Sequence, residues 1–301
     1  MTIVCLGEAI VDLVCERELD SSAEADEYRP HFGGALANVA VSAARAGAPV
    51  ALAGGAGDDE WGRWLRRTLE KEGVDLRWFS LVPGPRTPIC FITFDRRREP
   101  SFQVYGEGIE ASMRSLDGRV ADVLAEASAL VFGSNTLVGE RERELTLHAR
   151  DVALARRIPV LYDPNLRANR WAAMDGAIEL SRLACEGAFV ARANLDEARR
   201  IARLEAEASA AEVAEAMVGL GARIAVVTVG ARGALMRGEA SAEVAGVTVD
   251  LVSPLGAGDA FMGALAAGFA RRGWSAANAP QALAEAVAAG GLACTAWGAL
   301  P

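Results

Sequence analysis

Apolar residues recur along this chain in two alternating rhythms. Short continuous runs at 2–6, 49–53, 129–132, 159–162, 188–191 and 224–229 have the length and β-branched content of strands buried on both faces. Between them, 139–157, the stretch up to Cys185, and segments near 195–203 and 209–220 read as helices, as does 115 to about 127. Strand and helix in alternation predict an α/β fold with a mostly parallel sheet covered on both faces, whose ligands lie beyond the carboxyl ends of the strands. Asp163, Asn194, Gly230 and Asp259 fall at or just after such ends. Two segments keep a different rhythm. Residues 10–14 alternate around Asp12 as an extended piece, and 88–94 and 101–105 flank a charged turn at 95–100, which reads as a hairpin. Arg96, Arg97 and Arg98 in that turn read as solvated.

The turns carry the chemistry. Ser253-Pro254-Leu255-Gly256-Ala257-Gly258-Asp259 runs into an alanine-rich apolar stretch, so the backbone amides of Gly256, Ala257 and Gly258 are expected to open a helix. Helix N-termini present unpaired N–H donors and the positive end of the peptide dipole, which suits an anion. Asp259, in the first turn, either charges the helix start favourably or acts as a general base beside an anion hole. Earlier, His31-Phe32-Gly33-Gly34-Ala35-Leu36-Ala37-Asn38 enters a helix ending near Gly47, with Asn38 a lone polar residue among alanine and valine. Asp12 stands between valine and leucine, either facing solvent from an amphipathic strand or binding hydroxyls. Gly54-Gly55-Ala56-Gly57-Asp58-Asp59 lacks a third glycine and puts acids where a pyrophosphate would sit, so it is not a phosphate loop.

Composition narrows the classes. The 301 residues suffice for one large α/β domain, and the net charge of -9 disfavours nucleic acid and anionic membrane as partners. Five scattered cysteines, with no C-x-x-C pair, suggest neither a zinc knuckle nor a disulfide framework. The start of the chain has no basic n-region followed by a long apolar segment, and no charge-free run reaches membrane-spanning length, so a cytoplasmic location is expected. With Lys71 the sole lysine, neither a Walker A loop nor a protein-kinase strand lysine is available. Phosphate would be handled by amides, arginines and a metal ion.

Taken together, these motifs resemble the PfkB (ribokinase-like) carbohydrate kinases almost end to end. Gly33 to Gly47 is similar to the N-terminal signature of that family, and Gly256-Ala257-Gly258-Asp259-Ala260-Phe261 to the C-terminal one. Asp163-Pro164-Asn165-Leu166-Arg167 with Trp171 resembles the block of fructokinases and 2-keto-3-deoxygluconate kinases, a branch that Gly7-Glu8 also suggests. Asn194-Leu195-Asp196-Glu197 resembles the Asn-x-x-Glu motif, and Thr228-Val229-Gly230-Ala231-Arg232-Gly233 the nucleotide-contacting turn.

The resemblance implies a single ribokinase-like domain over 1–301, with a small β-strand lid built from about 10–32 and 86–110. It implies an ATP-dependent phosphotransferase acting on a sugar hydroxyl, fructose or 2-keto-3-deoxygluconate first. A nucleoside kinase of the same family and a non-catalytic sugar or nucleotide sensor are the alternatives. Asp259 would be the base and Gly256, Ala257 and Gly258 the anion hole. Asp12, Gly33, Gly34, Asn38 and Arg167 would bind the acceptor, and Asn194, Glu197, Thr228, Gly230 and Gly233 the nucleotide. Glu197 would hold Mg²⁺ through water. Ser253 stands where relatives carry an aspartate that helps coordinate an activating monovalent cation, so the resemblance stops short of implying K⁺ activation. The tail keeps Gly298-Ala299 and suggests a short last wall for the adenine pocket. An uncovered lid edge implies a homodimer.

Overall fold

The computed structural model describes residues 1–106 and 108–300. Glu107, inside the expected lid segment, and Pro301, the last residue of the tail, lie outside the described residues.

Along the first strand, β1 (Thr2–Leu6), Ile3 and Cys5 pack into one core while Val4 and Leu6 pack into another. Successive side chains of a strand point to opposite faces, so a strand buried on both sides must be apolar throughout. The first core lies under helices Ala35–Arg45, Ala257–Arg271 and Ala279–Ala293. The second lies under Glu140–Ala155, Met174–Cys185, Leu195–Ala202 and Ala210–Gly219.

In chain order the other strands are β2 (Ile10–Leu19), β3 (Arg29–Gly33), β4 (Val50–Gly57), β5 (Phe79–Val82), β6 (Ile89–Asp95) and β7 (Pro100–Tyr105). They continue with β8 (Ala127–Gly133), β9 (Val160–Asp163), β10 (Val190–Asn194), β11 (Ile224–Thr228), β12 (Ala234–Gly238) and β13 (Ala242–Val244). The main sheet runs β13-β12-β11-β10-β9-β8-β1-β4-β5. It is parallel from β5 to β11 and antiparallel at the β12 and β13 edge. A second sheet, β3-β2-β6-β7, is built from the two segments expected to form a lid. Its inner face packs Val14, Cys90, Ile92 and Phe94 onto Leu255 and Ala299, with the Trp297 ring 5.1 Å from that of Phe94.

Several expectations are corrected by local physics. The glycines after β4 begins belong to the strand itself, because a Cβ on Gly54 would stand 2.1 Å from the Gly7 carbonyl oxygen. The helix expected from 115 to 127 is reduced to the single turn Val120–Val123, because a longer helix, Gly108–Arg114, ends before it and Gly118 turns the chain between them with φ 72°. Asp12 is 5% exposed, so the solvent-facing reading of it is excluded. Strands β5, β12 and β13 and the helix Ala279–Ala293 escape the pattern reading. The strands are short, with β5 and β13 at the two edges of the sheet and β12 next to β13, and the alanines and glycines of the helix leave no sharp polar stripe. Among the described residues no helix is long and apolar enough to cross a membrane.

Candidate active site

The parallel strands end around a cavity of about 330 Å³ that lies between the main sheet and the inner face of the small one. Glu8 follows β1, Asn135 follows β8, Asn165 and Arg167 follow β9, and Asn194 ends β10, so adjacent strand ends deliver one wall. Asp12 and Ile10 come from β2, and Phe102 and Val104 from β7. The helix start at Gly256, Gly258 and Asp259 closes the far side.

That turn is fixed by its neighbours. Gly256 caps the helix with φ 72°, and a Cβ there would lie 2.0 Å from the Ala299 carbonyl oxygen, so both conformation and space require glycine. Ser253 is fully buried, and its Oγ accepts from the Leu255 amide at 3.1 Å. The Ala257 amide donates to the Pro254 carbonyl at 3.3 Å, whereas those of Gly256 and Gly258 have no backbone partner among the described residues. Ala257 also stands outside the cavity lining. Of the three amides expected to face an anion, those of Gly256 and Gly258 are therefore the ones left open at the cavity.

Asp259 is held from another helix: Asn38 Nδ2 donates to its Oδ2 at 2.8 Å. Burial raises the Asp259 carboxyl to about 7, opposed by the Asn38 hydrogen bond and reinforced by the charge of Asp163. Asp12 is raised further, to about 8, first by burial and then by Asp259 itself. Its carboxylate fills the space where a Gly33 side chain would be, the nearest oxygen lying 2.2 Å from an ideal Cβ. Gly33 is thus behind Asp12 and off the cavity wall, while Gly34, with φ 94°, lines it.

Arg192 lies beneath the anion turn. Its Nη1 would meet a Gly258 Cβ at 2.8 Å and donates to Asp163 at 3.0 Å, while its Nη2 donates to Thr228 Oγ1 at 2.8 Å. Its guanidinium also sits 5.5 Å from the Phe261 ring centroid. Burial pushes the Asp163 carboxyl up, and the neighbouring Arg192 counters that shift. Arg167 stacks on Phe102 at 4.8 Å and faces the cavity.

Asn194 and Glu197 form a capping box: Asn194 Oδ1 accepts from the Glu197 amide at 2.9 Å, and Glu197 Oε2 from the Asn194 amide at 3.2 Å. Glu197 Oε1 accepts from the Leu166 amide at 2.8 Å. Each oxygen keeps a further lone pair, which suits accepting from metal-bound water rather than stripping the ion of its shell. Among the described residues no cluster of three or more histidine, cysteine, aspartate or glutamate side chains could hold a metal directly. A hydrated divalent cation fits this donor set.

The remaining expected residues sit apart from the cavity. Thr228 is bonded to Arg192, Gly230 is exposed in a 3₁₀ turn, and Gly233 is buried where a Cβ would stand 2.0 Å from the Val244 carbonyl oxygen. Pattern reading missed Asn135, Arg170 and Arg192. The signal for Arg192 was a charge inside an apolar strand, and that for Asn135 a polar residue just beyond a strand end.

The family model described as pfkB family carbohydrate kinase matches residues 1–300. Probable fructokinase-5 of Arabidopsis thaliana is 29% identical over 303 residues, covering 99% of this chain and 93% of its own length. An uncharacterized sugar kinase from Pyrococcus horikoshii, solved in complex with ATP, superposes with TM-score 0.83 at 26% identity, covering 99% of this chain and 93% of that one. Fructokinase from Vibrio cholerae O395, solved with fructose, ADP and calcium ion, gives TM-score 0.84 at 27% identity, covering 99% and 94%; its double mutant holds fructose, ADP and potassium ion.

Proposed function

The chain belongs to the pfkB family of carbohydrate kinases, and we propose that it transfers the γ-phosphoryl group of ATP to a hydroxyl of a sugar, fructose ahead of 2-keto-3-deoxygluconate. The reaction class, an ATP-dependent phosphotransfer to an alcohol, follows from the family. One observation supports the assignment of the base: a carboxyl raised to about 7 stands two residues from an open helix N-terminus and is aimed by Asn38. Near neutral pH such a carboxylate is ionised often enough to accept a proton and basic enough to use it.

Asp259 takes the proton of the acceptor hydroxyl as that oxygen attacks the γ-phosphorus, whose bond to the β,γ-bridging oxygen breaks so that ADP leaves. The N–H groups of Gly256 and Gly258 face the charge gathering on the transferring group, and Arg192, immediately behind Gly258, adds a fixed positive field. Asp12, Gly34 and Asn38 hold the acceptor. Glu197 and Asn194 would hold a hydrated Mg²⁺, which when bound would supply charge neutralisation for the phosphates. Ser253 uses its hydroxyl inside the turn and is a neutral group, so turnover without K⁺ is expected.

The whole chain works as one ribokinase-like domain in this account, and the small sheet serves as its lid. The apolar contact of Ile92 and Phe94 with Leu255 ties lid position to the anion turn. The outer face of the lid carries Tyr28, Phe91 and Tyr105 in edge-to-face contacts at 5.1 and 5.7 Å, with Tyr105 58% exposed. This aromatic surface supports a homodimer through the lid. Five free cysteines, four of them buried, fit a cytoplasmic setting. ADP release measured across fructose, 2-keto-3-deoxygluconate, ribose and adenosine, with and without K⁺, tests the assignment. Turnover confined to adenosine would replace it.

A further inference from the structure

Three oxygens around the cavity are buried and have no hydrogen-bond partner among the described residues: Glu8 Oε2, Asn38 Oδ1 and Asn135 Oδ1. Their residues all line the same cavity. Buried polar atoms in folded proteins are almost always bonded, so three unbonded oxygens at one place, beside one unbonded donor on a lining residue, Arg192 Nε, call for a common cause. Each side chain is locked by its other polar atom. Glu8 Oε1 accepts from the Ala35 amide at 3.1 Å and from Asn135 Nδ2 at 2.8 Å, and Asn38 Nδ2 is bonded to Asp259. What each leaves over is an acceptor, and acceptors are satisfied by donors. A polyhydroxylated ligand brings donors, whereas a carboxylate at this place would set acceptor against acceptor.

Asn38 already belongs to the acceptor site. Glu8 and Asn135 lie at the carboxyl ends of the adjacent parallel strands β1 and β8, rigid elements that set the two side chains against each other. We propose that Glu8 and Asn135 form a second hydroxyl-recognition subsite, in which Glu8 accepts from one specific hydroxyl of the acceptor sugar and so helps to determine specificity. The proposal rests on the sugar-kinase reading. A site built to bond a hydroxyl discriminates strongly against the analogue that lacks it, because its own buried oxygens then stay unpaired.

The test is the best sugar substrate and its monodeoxy analogues, one hydroxyl removed at a time, on the wild type, Glu8→Gln and Asn135→Ala. Glutamine keeps an oxygen for the Ala35 and Asn135 donors but presents NH₂ where the free acceptor stood. We expect one analogue to lose roughly tenfold or more in kcat/KM with the wild type, mainly through KM. Glu8→Gln should lose a similar factor on the parent sugar, discriminate little against that one analogue, and keep its discrimination against the others. Asn135→Ala should show the same single-analogue signature. An equal loss on every analogue would mark Glu8 as merely structural and overturn the proposal. So would a wild-type series in which no single deoxy analogue loses more than about twofold in affinity by calorimetry, a comparison that needs no variant to fold. If ADP is released with none of the sugars, the kinase reading fails instead, and calorimetric binding of the same series carries the test. Absence of binding by any of them overturns the subsite as well.

Discussion

Asn38 and Asp259, 221 positions apart in sequence, meet through one 2.8 Å hydrogen bond. Their helices, Ala35–Arg45 and Ala257–Arg271, cross closely because Gly263 has no side chain: a Cβ there would lie 2.5 Å from the Val39 carbonyl and from the Ser42 Cβ. Ser42 Oγ, one turn beyond Asn38, donates to the Ala260 carbonyl at 2.7 Å and pins the crossing. Helix packing therefore sets the direction of the Asp259 carboxylate, the proposed base. Removing the bond with Asn38→Ala should raise the apparent pKa of the acidic limb in a kcat/KM profile and lower kcat by roughly tenfold, since a hydrogen bond to a charged group contributes about 1.5–3 kcal/mol. An unmoved limb would separate Asn38 from the base.

Asp259 at about 7 and Asp12 at about 8 influence each other, so activity should rise with pH through a neutral macroscopic step and level off above about pH 8. The same shifts act on stability with a definite sign. Both carboxyls have folded values above the ordinary 3.8, so protonation favours the fold. Their contribution is complete below about pH 4 and is lost as pH rises through about 7 and 8. Thermal denaturation of the ligand-free protein should thus find Asp259→Asn more stable than wild type above about pH 7, with the gap closing toward about pH 4. A gap independent of pH would contradict the assigned shifts.

Arg192 ties three parts of the site together. Replacing it with methionine leaves Asp163 buried without its ion-pair partner, a change that costs about 3–5 kcal/mol in comparable settings. Denaturant unfolding should register that loss, and Arg192→Lys should recover part of it. Lysine keeps the charge, but a single ammonium does not reproduce the fork that reaches both Asp163 and Thr228. Equal stability of the methionine variant and wild type would remove the pair from the account.

The small sheet is proposed as a lid, which makes its dynamics testable. If the small sheet clamps over sugar, amide hydrogen exchange across β6 and β7 should slow when the acceptor binds, and Leu255→Ser should weaken that protection by opening the apolar contact with Ile92 and Phe94. Identical exchange with and without sugar would argue for a fixed small sheet.

Much of this architecture was legible because strand burial and helix periodicity leave strong one-dimensional traces. The hairpin around Arg96–Arg98, the glycine turns and Asp259 could be located from residue type alone. Burial changes the chemistry of individual residues less visibly. Asp12 reads locally as a lone acid on a strand, and only the packing of β2 against β3 and β6 makes it a buried carboxyl covering Gly33. Arg192 lies just past the apolar run at 188–191, and its partners, Asp163 and Thr228, sit on the neighbouring strands β9 and β11, out of reach of any local pattern. The Glu8–Asn135 contact joins residues 127 positions apart, and no local spacing announces it. The glycines of β4 read as a loop because the close backbone neighbours that require them, Gly7 and Ser80, belong to other segments.

The most direct single test is steady-state ADP release with fructose, ATP and Mg²⁺, comparing wild type with Asp259→Asn. The account predicts turnover by the wild type that falls by at least roughly a hundredfold in kcat in the variant, with nucleotide still bound, as expected for loss of a general base. Undiminished phosphoryl transfer by Asp259→Asn would contradict it.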